Sequence, residues 1–238
     1  MPMIPPESAP RLGLVGGLGV GATVHYYRTL AQRYAAQGRS LDLVMIHADV
    51  NRIFERVSVQ DWMGLAEYLG GLLDHLAAAG AGLGVIPAVT PHACARELAA
   101  RTPMPLVDVV AETAREIRAR GLRRVALMGT RLTLETRMFG GLGDVDIVMP
   151  QPAEVEAIHA AYSSLVRRAN AAGGERQILS TMAHQFCERD GAEAVVLAGT
   201  DMALLFEDTP PDFPHVDCAA LHIDAVLRRV GLHAPTAG

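Results

Sequence analysis

The chain has 238 residues, half of them hydrophobic and a fifth charged, with a net charge of -5. That is a core-forming composition, enough for one large domain or two lobes of about 100–120 residues each, and it gives nucleic acid or an acidic membrane surface little to bind. All 21 basic residues are arginine. Without lysine there is no internal Schiff base, hence no ordinary pyridoxal phosphate chemistry, and no Walker-type phosphate loop.

The first ten residues read as a tail lacking the basic and apolar regions of a secretion signal. Residues 12–15 form a short apolar run that stops at Gly16 and Gly17, and a helical pattern starts near Thr23. Residues 41–46 read as a second strand, 47–57 as a polar loop, 61–79 as a helix and 83–86 as a strand ended by Pro87. Pro91 suits the first turn of the next helix, which runs to about Ala100. The alternation then recurs: strand 106–109, helix 111–120, strand 125–128, strand 146–149, helices near 153–170 and 175–190, strand 194–197 and a closing helix 218–230. Strands alternating with helices predict an α/β protein with parallel sheets and right-handed crossovers.

Residues 84–90 (GVIPAVT) echo residues 194–200 (AVVLAGT): an apolar strand, a small residue, a threonine, then a helix. Two similar lobes facing one another would set these strand ends across a shared cleft, where open α/β sheets bind ligands. No run of 18 uncharged apolar residues exists, and the three cysteines show neither close pairing nor metal spacing. The expectation is a reduced cytoplasmic protein with no membrane span and no metal.

Several segments together resemble the aspartate/glutamate racemase (Asp/Glu/hydantoin racemase) superfamily. Residues 12–23 (LGLVGGLGVGAT) are similar to the family opening I-G-I-L-G-G-M-G-P-x-A-T, and residues 53–56 (IFER) resemble its I-P-D-R loop. Residues 88–92 (AVTPH) stand in the place of C-N-T-A-H, and residues 127–133 (LMGTRLT) match L-x-G-T-x-x-T, with Phe139 at that segment's aromatic position. Residues 191–201 (GAEAVVLAGTD) lie over G-A-x-x-I-I-L-G-C-T-E, and residues 217–222 (DCAALH) have the look of D-x-x-x-x-H. The resemblance implies residues 11–105 plus 218–238 as a first α/β lobe and 106–217 as a second, with the ligand cleft between them. It also implies a homodimer, a small amino acid or carboxylate as ligand, and cofactor-free chemistry in which two cysteine thiols work on opposite faces of an α-carbon.

Both family cysteines are missing: the first position is Ala88, followed by Val89, and the second is Gly199. Neither a methyl group nor a hydrogen can carry a proton, so two-thiol racemisation is excluded. Two readings remain: an enzyme that works at the α-carbon with other groups, or an inactive homologue that binds a small amino acid or carboxylate. The groups available for proton transfer are His92, Asp201, Thr200, His47 and Asp49. For substrate binding, Gly17 and Gly19 offer a turn with free backbone N–H groups, and Thr90, Thr130 and Thr133 sit where a hydroxyl serves either a carboxylate or a helix cap. Ala88, Val89 and Gly199 belong to this set by position. Arg56 resembles the family arginine that grips a side-chain carboxylate, and Arg167 falls near the family's second basic contact.

Overall fold

A computed structural model describes residues 9–135, 142, 144–171 and 174–232; Phe139 lies outside the described residues. Two parallel sheets form the frame. In the first, β1 (Leu12–Gly16) runs between β2 (Leu43–His47) and β3 (Leu83–Val85). In the second, the order is β5 (Asp146–Val148), β4 (Arg124–Gly129), β6 (Ala194–Ala198), β7 (His215–Asp217), every pair parallel. The inner strands read as continuous apolar runs because helices cover both faces: all five residues of β1 and of β6 are buried.

Helix α1 (Val20–Ala35) starts where Gly16 and Gly17 end the first strand, Gly17 turning at φ 87°, a region that favours glycine. Its buried stripe Tyr26, Leu30, Tyr34 joins β1 and β3. The same core takes Ala219, Ile223 and Val226 from the last helix, α9 (Cys218–Arg229). Asp217 starts α9 by accepting the N–H groups of Ala219 (2.8 Å) and Ala220 (3.2 Å). Helices α5 (Val109–Ala119) and α8 (Glu175–Glu188) pack in the core of the second sheet. Each fully buried leucine or isoleucine there contributes roughly 1.5–3 kcal/mol.

The segment 47–57, expected as a polar loop, is largely a helix: α2 (Val50–Ser58), capped by the Asp49 carboxylate on the N–H of Asn51 at 3.0 Å. It leads into α3 (Trp62–Ala78), capped by Asp61 on Gly64. The expected strand at 106–109 shrinks to one bridge between Leu106 and Gly84, because Asp108 caps α5 and draws Val109 into the helix. The expected helix after Pro91 is a 3-10 turn, Thr90–Cys94, followed by α4 (Ala95–Arg101). Two further helices complete the second half, α6 (Arg131–Glu135) and α7 (Pro152–Arg168). Among the described residues, no helix is long and apolar enough to cross a membrane.

Candidate functional site

The carboxyl ends of β1, β3, β4 and β6 open into a cleft of about 790 Å³, the position where such sheets hold ligands. The strand ends supply residues 17–20, 88–91, 130–132 and, from β6 onward, Ala198, Thr200 and Asp201. Two helices wall it. From α7 come His159, Tyr162, Ser163, Val166 and Arg167, and from α2 come Val50, Ile53, Phe54, Val57 and Ser58. Both sets follow the three-and-four spacing of one helical face.

The Gly199 corner carries the densest chemistry. Gly199 has extended backbone and opens the 3-10 turn Thr200–Leu205. A Cβ built there would lie 2.6 Å from both Cζ and Oη of Tyr162, so the phenol fills the space a side chain at 199 would take. The Tyr162 hydroxyl donates to the Asp201 carboxylate, and burial pushes the tyrosine well above its ordinary pKa. Asp201 is 3% exposed and borders the cleft. Its Oδ1 accepts the N–H of Ala22 at 2.9 Å, capping α1 from the opposite sheet because Gly19, at the cap position, has no side chain to do so. Burial raises the Asp201 pKa against the opposing pull of these hydrogen bonds. Behind Gly199 lies Cys218, accepting the Gly199 N–H; it is fully buried, its pKa is raised by burial, and it is not part of the cleft wall.

The remaining sequence candidates divide. Gly17, Gly19, Ala88, Val89, Thr90, Thr130 and Thr200 border the cleft with Asp201. The Gly17 N–H is not free as expected: it donates to Thr23 Oγ1 at 3.1 Å. Thr200 donates its hydroxyl to the Pro87 carbonyl at 2.9 Å, tying the two echoing strand ends together. Thr130 Oγ1 accepts the Thr133 N–H at 3.1 Å, and Thr133 is buried behind the wall.

His92, His47, Asp49 and Arg56 are outside the cleft wall. His92 bonds through Nδ1 to the Ala88 carbonyl at 2.8 Å and meets His222 edge-on. His222 Nε2 faces the Val107 carbonyl at 2.9 Å and therefore carries the proton, leaving Nδ1 to accept the Tyr26 hydroxyl at 3.0 Å. Burial pulls His222 down to about 3. His47 is exposed at the end of β2, and Asp49 caps α2. Arg56, its side chain half exposed, pairs with Asp61 at 2.5 Å. Cys94 is buried, its thiol pushed up to about 12 by burial.

Sequence reasoning missed His159, Tyr162 and Ser163, although their spacing with Val166 and Arg167 was a legible helical stripe. His159 Nδ1 is buried without a hydrogen-bond partner among the described residues.

A family model described as Asp/Glu/Hydantoin racemase matches residues 15–226. The fold is shared by a Yersinia pestis protein assigned as an Asp/Glu racemase (24% identity, TM-score 0.77, covering 93% of this chain and 99% of that one). An aspartate racemase homologue from Pyrococcus horikoshii OT3 is also similar (22%, TM-score 0.73, 93% and 99%). So is glutamate racemase from Thermus thermophilus, solved in complex with β-chloro-D-alanine (19%, TM-score 0.63, 96% and 84%).

Proposed function

We propose that this chain, which belongs to the Asp/Glu/hydantoin racemase family, moves a proton at the α-carbon of a small amino acid or carboxylate, with Asp201 in place of a thiol. The observation that carries this reading is the Gly199 corner, where no side chain stands at 199 and a buried carboxylate with a raised pKa borders the cleft beside Tyr162. A raised pKa makes the Asp201 carboxylate a stronger base. It takes the α-proton, the electron pair left on carbon delocalises into the substrate's own carboxylate, and the proton then returns from Asp201 to the same carbon. Tyr162 holds the carboxylate in position. The chemistry needs no cofactor.

At the Ala88 end the wall offers a methyl group, Val89 and Thr90, with no acid or base. Proton removal and return therefore take place on one face. The expected result in D₂O is exchange of the α-proton for deuterium without loss of configuration, read by NMR together with chiral chromatography. Asp201→Asn lowers the exchange rate about 10²–10⁴-fold. Full racemisation, or exchange indifferent to Asp201→Asn, would contradict the assignment.

A second reading, a binding protein without turnover, is favoured by one observation: the Asp201 carboxylate already holds the first turn of α1 through Ala22. Saturable ligand shifts with no exchange of any α-proton would establish it.

A further inference from the structure

The two long walls of the cleft differ in chemistry. On α2, Val50, Ile53, Phe54 and Val57 face it, Phe54 with more than half its surface open, and the terminal Ser58 spends its hydroxyl proton on the Glu55 carbonyl. Arg56 leaves by another side of that helix to meet Asp61. On the facing wall, α7 presents His159 and the exposed Arg167, and Arg131 borders the same cleft. Thus a ligand carboxylate finds polar and cationic side chains on the α7 side, and a group lying against Ile53, Phe54 and Val57 meets hydrocarbon. A second carboxylate placed there would lose its hydration without gaining a partner, whereas an apolar group would be stabilised.

We infer that the ligand is a monocarboxylate with an apolar substituent of phenyl or branched-alkyl size, its carboxylate against His159 and Arg167 and its substituent against Ile53, Phe54 and Val57. The inference rests on the reading of this cleft as the reacting site and narrows its substrate class away from aspartate and glutamate. Size agrees: a dry cavity of about 150 Å³ holds benzene, and this cleft encloses about 790 Å³. Each buried methylene is worth roughly a fourfold gain in affinity, so a phenyl or isobutyl group gives at least a tenfold preference over a carboxymethyl group.

The test is calorimetric titration of the whole chain with phenylalanine, leucine and 3-phenylpropionate against aspartate, glutamate and succinate. The wild type binds the first group at least tenfold tighter. Phe54→Arg, a change at an exposed position that folding tolerates, brings a cation to the apolar wall and reverses the order. His159→Ala weakens both groups by a similar factor. Tighter binding of the dicarboxylates by the wild type, an unchanged order in Phe54→Arg, or no binding of either group would overturn the inference. Following α-proton exchange on the same ligands separates it from the function above. Apolar ligands that bind without exchanging leave this inference standing and remove the catalytic reading, while exchange confined to aspartate or glutamate does the reverse.

Discussion

Restoring a cysteine at position 199 tests whether Gly199 and Tyr162 occupy the space as one unit. The nearest atoms to a Cβ there are Cζ and Oη of Tyr162 at 2.6 Å and Cε2 at 2.7 Å, nearly an ångström inside ordinary carbon contact. The ring cannot yield easily, because Tyr162 packs in the second sheet's core and bonds to Asp201. Overpacking of this kind costs about 1–3 kcal/mol, so Gly199→Cys should lower urea stability by that amount. Tyr162→Ala alone costs more, roughly 3–5 kcal/mol, through the cavity and the lost hydrogen bond. In the double variant the new thiol enters the space the phenol left, so the double variant should be about 1–3 kcal/mol more stable than the sum of single effects predicts. Equilibrium unfolding of the four proteins measures this directly. Additivity within about 0.5 kcal/mol would refute the claim that the phenol stands where the side chain would go.

Other consequences follow from the buried histidine and the solvent-facing arginine. The folded-state pKa of His222, about 3, lies below the ordinary 6.5, so the unfolded chain takes up its proton first as pH falls. The stability from neutral His222 is full above about pH 6.5 and drains between about 6.5 and 3, by roughly 2 kcal/mol at pH 5. Urea midpoints at pH 7 and 5 should show this drop in the wild type and a smaller one in His222→Gln; equal drops would contradict it. Arg56→Ala should change ligand affinity less than twofold by calorimetry, because its guanidinium is engaged with Asp61 outside the cleft wall; a tenfold loss would place it in the site.

The alternation of strands and helices was legible because β1, β4 and β6 are buried on both faces and carry unbroken apolar runs between glycine-ended turns. What escaped depended on short or mixed segments. Strand β7 has three residues, two of them His215 and Asp217, and takes its structure from pairing with β6 rather than from propensity. Helix α2 was hidden by its polar face, although Val50, Ile53, Phe54 and Val57 have helical spacing.

In the site, the strand-end residues were recoverable by position, since Ala88, Thr90, Thr200 and Asp201 follow strands whose ends must face the cleft. The partners of those residues were not. That Thr200 bonds to Pro87, that Asp201 caps α1, and that Tyr162 fills the space before Gly199 are contacts between segments 37 to 179 residues apart, fixed only when the two sheets meet. His92 illustrates the converse: a histidine in the right motif turns to the Ala88 carbonyl and away from the cleft.

On the proposed function, the α-proton passes through Asp201 and not through a thiol. The most direct measurement is the α-proton exchange rate of a variant in which Cys94, Cys187 and Cys218 are all replaced by alanine, set beside the wild type and Asp201→Asn. The cysteine-free protein should exchange within a fewfold of the wild type while Asp201→Asn falls by about 10²–10⁴. Loss of exchange in the folded cysteine-free protein, with Asp201→Asn still active, would contradict it.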